Sequence, residues 1–180
     1  DVMQYGRIDA FKKIAPEFMK ICQSTVTKNE DVIQNIIFGY GIFVERSSNE
    51  EYVPYAELIS NSISNVITRK VTEENGQVFD NAIASLGKVL YFKTMNNEEG
   101  HKLASRFYDM LPLKNDLEES KATVKLLCQQ FLSGNPLVAN SNHYASFKKA
   151  FKGIRKLDED ESILDEEAKS LMMKVEQLIN

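Results

Sequence analysis

The stretch FGYGIFVER, Phe38 to Arg46, sets two glycines, Gly39 and Gly41, inside an apolar run with helical spacing. A glycine in a helix interior costs roughly 0.5 to 1 kcal/mol relative to alanine, so two in one turn ask for a compensating contact. A second stretch repeats the pattern. IASLGKVLYF, Ile83 to Phe92, carries Gly87 between bulky residues. A side chain no larger than hydrogen lets two helix backbones approach more closely than the 8 to 10 Å typical of ridge packing. The competing reading, a hinge at Gly39 and Gly41 in one long helix, is weakened by the recurrence at Gly87.

Outward from these stretches the chain reads as helix throughout. Apolar residues recur at spacings of three and four, and no alternating run is flanked by Asn-Gly or Asp-Gly. Ala10, Phe11, Ile14, Phe18 and Ile21 make a first stripe, which Pro16 is expected to limit or kink. Ile33, Ile36, Ile37, Tyr40, Phe43 and Val44 make a second, with Asp31, Gln34 and Glu45 opposite. The turn Ser47–Glu51 leads to Pro54 and a third helix through Ile67, and Thr72 is the expected cap of a fourth through Leu90.

After TMNNEEG, Thr94 to Gly100, a fifth helix carries Leu103, Phe107 and Leu111, and Pro112 ends it. Asn115 and Glu118 read as a capping arrangement for a sixth, which carries Leu127, Cys128 and Phe131. SGNPLVANSN, Ser133 to Asn142, reads as a loop. A seventh helix holds Tyr144, Phe147, Phe151 and Ile154. DEDES, Asp158 to Ser162, reads as an acidic turn before an eighth with Ile163, Leu164, Ala168, Leu171, Met172, Val175 and Leu178.

Eight helices joined by short polar turns form either a closed bundle or an array of pairs, and a fixed period separates the two. Gly41 and Gly87 lie 46 positions apart, and Gly87 and Cys128, each a small residue after a leucine or in a matching helix, lie 41 apart. Both distances fall in the roughly 40 to 47 residue range of HEAT and armadillo pairs. The expected fold is therefore all-α, an α-solenoid of antiparallel helix pairs. The chain 1–180 divides into about four repeats at approximately 8–46, 52–92, 98–133 and 141–180. It opens on Asp1, which reads as part of a longer protein.

Composition narrows function. A hydrophobic share of 43% with 27% charged residues can build a core, and no apolar run reaches the length of a membrane span. A net charge of −4 disfavours direct nucleic-acid binding, which needs a concentrated basic face. Cys22 and Cys128 are too few for a disulfide framework and read as small apolar core residues in an intracellular chain. His101 and His143 read as unrelated surface residues. No Walker loop, Gly-x-Ser-x-Gly or His-Glu-x-x-His occurs, and Gly39-Tyr40-Gly41 lacks the third glycine and preceding strand of a phosphate cradle. Neither catalysis nor a cofactor or metal is expected.

DMLPLKNDLEESKATVKLLCQQFLSGNPLV, Asp109 to Val138, resembles a segment of karyopherin-beta nuclear transport receptors (importin-beta superfamily) of the importin beta-3 class. The shared order is Leu-Pro-Leu, an acidic residue, a Glu-rich helix start, Leu-Cys and a proline-containing loop. FGYGIFVE and DNAIASLGKVLYF resemble the second helices of the two preceding repeats, so the resemblance covers about residues 10–140. It implies C-terminal HEAT repeats of a nuclear import receptor, shuttling between cytoplasm and nucleus. Its implied partners are cargo with basic import signals, Phe-Gly nucleoporins, and Ran GTPase through repeats outside this chain.

In that family the second helix of each pair lines the concave side, which points to Gln34, Gln77, Asn81, Lys88 and Glu119 as polar partner-binding residues on solvated faces. Tyr55, Phe107 and Phe147 are candidate rings for Phe-Gly docking between odd helices. Paired carboxylates at Glu50-Glu51, Glu73-Glu74, Glu98-Glu99, Glu118-Glu119 and Asp158–Glu161 read mainly as helix-start residues, and secondarily as an acidic surface for lysine-rich signals. The alternative function is a HEAT or armadillo scaffold subunit of another complex.

Overall fold

A computed structural model describes residues 2–94, 96–139 and 141–179, and among them every regular element is helical. The chain forms two compact units, Asp1–Lys93 and Thr94–Asn180.

The first unit contains α1 (Val2–Tyr5), α2 (Ile8–Ser24), α3 (Glu30–Arg46), α4 (Asn49–Tyr52), a 3-10 turn at Val53–Tyr55, α5 (Ala56–Ile67) and α6 (Gly76–Lys93). Ring contacts fix the directions. Phe11 meets Phe43 at 6.3 Å while Phe18, seven residues further along α2, meets Tyr40 at 6.2 Å, so α2 and α3 run antiparallel. The same test makes α5 antiparallel to α3, because Tyr55 meets Phe43 at 5.6 Å and Arg69, just past α5, pairs with Glu30 at the start of α3.

Between α3 and α6 the order is the reverse. Ser85 Oγ donates to the Ile37 carbonyl at 3.0 Å, Lys88 Nζ lies 3.5 Å from Glu45, and Lys93 Nζ donates to the Ser47 carbonyl. Rising numbers meet rising numbers, so α3 and α6 stack in parallel. Gly41 faces α6 closely. A Cβ there would stand 2.7 Å from Ser85 Oγ, and one at Gly39 would stand 2.2 Å from the ring of Phe18. The two glycines of the opening stretch thus serve two different neighbours, α6 and α2.

The second unit contains α7 (Glu98–Asp109), α8 (Leu117–Leu132), α9 (Pro136–Ala139), α10 (Ser141–Glu161) and α11 (Glu166–Ile179). Here α7 and α10 stack in parallel: His101 meets His143, Tyr108 meets Phe147, and Pro112 lies where a side chain at Gly153 would stand. α11 returns antiparallel to α10, with Tyr144 Oη donating to the Ile179 carbonyl and Asp158 paired to Lys169. α8 packs on α11, and Lys125 bridges Asp165 and Glu167 at the start of that helix. Side-chain hydrogen bonds across the stacked helices join residues 38, 42, 42, 46 and 48 positions apart. That spread brackets the 46 and 41 residue intervals read from the sequence.

Local chemistry explains the ends. Asn29 accepts from Val32 N, Ser48 and Glu51 form a reciprocal capping box, and Asp165 accepts from Ala168 N. α8 closes with Gly134 at φ +73°, its N–H bonded to the Phe131 carbonyl and that of Asn135 to the Gln130 carbonyl, the paired pattern that needs a left-handed residue. α7 begins at Asn97, whose side chain accepts from Gly100 N at 2.9 Å. Asn97→Ala is expected to lower the stability of the second unit by about 1 kcal/mol, read as a drop in the urea midpoint, with Asn97→Asp close to wild type.

The eight expected helices occupy the positions of α2, α3, α5, α6, α7, α8, α10 and α11, with five differences in detail. α2 runs unbroken through Pro16, because Pro16 and Lys12 lie on its exposed side, where solvent can serve the carbonyl left without an N–H. α6 starts at Gly76, so Thr72 is not its cap; Asn75 Oδ1 instead accepts from Thr72 N. α8 is capped by Asp116 rather than Asn115, through Glu119 N. The expected loop at 133–142 includes α9, started by Pro136, and the expected turn at 158–162 is the last turn of α10. Met95, Asn140 and Asn180, which fall in the expected linker, loop and last repeat, lie outside the described residues.

Candidate partner-binding surface

Of the five polar residues assigned to solvated faces, two are placed near solvent. Gln77 is exposed in the first turn of α6 and Gln34 is half-buried on α3. Asn81, Lys88 and Glu119 are corrected to buried positions, at 2%, 9% and 7% exposure. The cause for the first two is that α6 packs against both α3 and α5, so residues 80–91 are buried all round. A helix covered on several sides has no free polar face. Asn81 Nδ2 donates to the Gln77 carbonyl, and Lys88 reaches Glu45 at the rim of the α3–α6 contact. The charge of Lys88 is tolerated because its stem is buried while its ammonium keeps an anionic partner.

The ring assignment is corrected in the same way. Phe107 and Phe147 are fully buried in the second unit, Phe147 against Tyr108, Phe131 and Phe151, and only Tyr55 keeps partial exposure. Cys22 and Cys128 are buried free thiols, pushed up by burial to about 11 and about 12. Neither is a nucleophile at neutral pH.

The carboxylate clusters divide by position. Glu50 and Glu51 occupy the first turn of α4, Glu98 and Glu99 that of α7, and Glu118 and Glu119 that of α8. Glu73 and Glu74 precede α6, and Asp158–Glu161 end α10, where the helix dipole disfavours them. Asp158 is used there: its carboxylate accepts from Leu164 N and faces Lys169. On α3, α6, α8 and α11 the exposed carboxylates are Asp31 and Glu45 of α3, Glu118 of α8, and Glu166 and Glu167 of α11, of which Glu45, Glu118 and Glu167 are paired with Lys88, Lys121 and Lys125. Among the described residues Lys174 is the one fully exposed cation of the four helices. Each unit therefore offers exposed carboxylates on these helices.

The histidines are a further correction. They are not separate surface residues: His101 Nδ1 and His143 Nε2 stand 2.7 Å apart, and His143 is buried. One hint was legible beforehand, since 42 positions, about the expected period, separate them. Among the described residues no group of three or more His, Cys, Asp or Glu could hold a metal ion, and no helix is long and apolar enough to cross a membrane. No family model matches the sequence.

Proposed function

We propose that the chain is an α-solenoid of four HEAT-type pairs, the C-terminal part of a nuclear import receptor of the karyopherin-beta kind, which holds other proteins by surface recognition. The observation that supports the fold is the parallel stacking of α3 on α6 and of α7 on α10, linked by hydrogen bonds between residues 48 and 42 positions apart. In a closed bundle consecutive antiparallel helices make the main contacts, whereas pairs in an array stack on their counterparts.

The functional reading rests on the resemblance of Asp109–Val138 and on the exposed carboxylates of the second helices, which suit cargo with basic import signals. Gln34 and Gln77 remain the polar candidates at that surface. Phe-Gly nucleoporins are the second partner class. Ran-GTP is assigned to other repeats of the receptor, which shuttles between cytoplasm and nucleus.

Fluorescence anisotropy tests this. A lysine-rich signal peptide is expected to bind and to weaken several-fold between about 50 and 300 mM salt, since screening shortens the range of exposed charges. A Phe-Gly peptide is expected to bind with little salt dependence. Absence of binding to both peptides, and of the full-length receptor to Ran-GTP, would overturn the assignment.

A further inference from the structure

His101 and His143 meet edge to edge. Their ring centroids are 4.8 Å apart while the facing nitrogens are only 2.7 Å apart, and the ring planes differ by 22°. Face-to-face rings would have nitrogens and centroids nearly equally spaced; here the centroids stand further off, as in an in-plane N–H···N bond. This bond joins the first turns of α7 and α10, the parallel stack at the centre of the second unit. On its other side His143 Nδ1 faces Ser105 Oγ at 3.4 Å.

We propose that this pair is a proton-operated latch between α7 and α10, closed while the two imidazoles hold at most one extra proton and opened when both are charged.

Donor and acceptor bookkeeping gives the rule. With both rings neutral, Ser105 donates to His143 Nδ1, and His143 Nε2–H donates to His101 Nδ1. One added proton is accommodated: His101 Nδ1–H then donates to His143 Nε2, while His143 moves its own proton to Nδ1 and donates to Ser105, whose hydroxyl accepts as readily as it donates. This singly charged bond is the stronger of the two. A second proton has nowhere to go but His143 Nε2, where it faces the His101 N–H, and two cations then share one contact.

Among the described residues no carboxylate pairs with either ring. The groups facing His143 from α7 are His101, Ser105 and Tyr108, whose ring is 6.3 Å away and whose hydroxyl is bound to the Leu137 carbonyl. α9 carries no ionisable side chain, and α8 presents Phe131 to α10. On α10, Lys148 lies over Tyr144; on α7, Glu98 is engaged with Lys102 at the exposed flank.

Burial first, and the charge on His101 second, lower the pKa of His143 from its ordinary 6.5. The unfolded chain thus takes up protons below about pH 6.5 that the folded chain resists. Stability from this contact is complete above that pH and declines as pH falls beneath it.

Imidazole ¹⁵N spectra of the chain from pH 8 to 5, with amide hydrogen exchange, test the latch. The ¹⁵N shifts of the two rings are expected to change as a coupled pair, with His143 taking up its proton below 6.5. Amides at 101–108 and 143–147, corrected for intrinsic rates, are expected to exchange several-fold faster once that step is passed, since opening the contact exposes the first turns of both helices. In His101→Gln, whose amide still bonds but does not titrate, that acceleration is expected to shrink, leaving only the part due to the burial of His143. Two independent titrations near 6.5, or exchange in His101→Gln with unchanged pH dependence, would overturn the proposal. The wild-type spectra decide the matter even if the variant fails to fold.

Discussion

Phe147→Ala is expected to destabilise the second unit by about 3 to 5 kcal/mol, the range for removing a fully buried aromatic ring. The ring has no exposed surface. It lies 4.9 Å from Phe131 with planes only 5° apart, and meets Tyr108 nearly perpendicularly at 6.1 Å, so both neighbours lose a partner together. The cost also includes the cavity left between α7, α8 and α10, which their backbones can close only in part. Since a whole domain is stable by about 5 to 15 kcal/mol, the variant is expected to sit near its folding threshold. Phe147→Leu is the gentler companion and should lose less. Urea unfolding of the variants checks this, and a loss under about 1 kcal/mol for the alanine would put the ring back at a surface.

Gly41→Ala is expected to destabilise the first unit by about 1 to 3 kcal/mol, although alanine is the better helix former by about 1 kcal/mol. The new methyl would stand 2.7 Å from Ser85 Oγ and 3.4 Å from Lys88 Cδ, so α6 must shift or Ser85 must abandon the Ile37 carbonyl. Ser85 Cβ, at 3.6 Å, leaves room. The sign of a second substitution therefore depends on the first. Ser85→Ala alone should cost about 1 kcal/mol for the lost buried hydrogen bond. In the Gly41→Ala background it should stabilise, because it removes the clashing hydroxyl. A double-mutant cycle from urea midpoints measures this, with an expected coupling of about 1 to 3 kcal/mol. Additive effects would mean that Gly41 and Ser85 do not touch.

The glycines were legible because a helix-interior glycine violates a local preference and so advertises a contact, and Gly41 meets α6. The proposed period has a related support, since packed helices bring together residues about 42 positions apart, Lys125 with Glu167 and His101 with His143. Candidate site residues were less legible. Asn81 and Lys88 were read from the helical wheel of α6 as if one side faced water, but α3 and α5 together cover that helix. A wheel drawn from one sequence cannot say how many neighbours a helix has. Phe107 and Phe147 failed likewise, since a ring in a groove and a ring in a core have the same spacing. The histidine pair was hidden because it joins two helices through a contact absent from either one alone.

Spin-label distances between α3 and α6 test the parallel stack most directly. Cysteines at Asn35, Glu45, Gln77 and Phe92 are exposed, while Cys22 and Cys128 are buried with raised thiol pKa values and label slowly. The start-to-start pair, Asn35 with Gln77, and the end-to-end pair, Glu45 with Phe92, are expected to lie closer than both crossed pairs, since ten helical residues span about 15 Å. Shorter crossed pairs would make the two helices antiparallel and contradict the stacked-pair architecture.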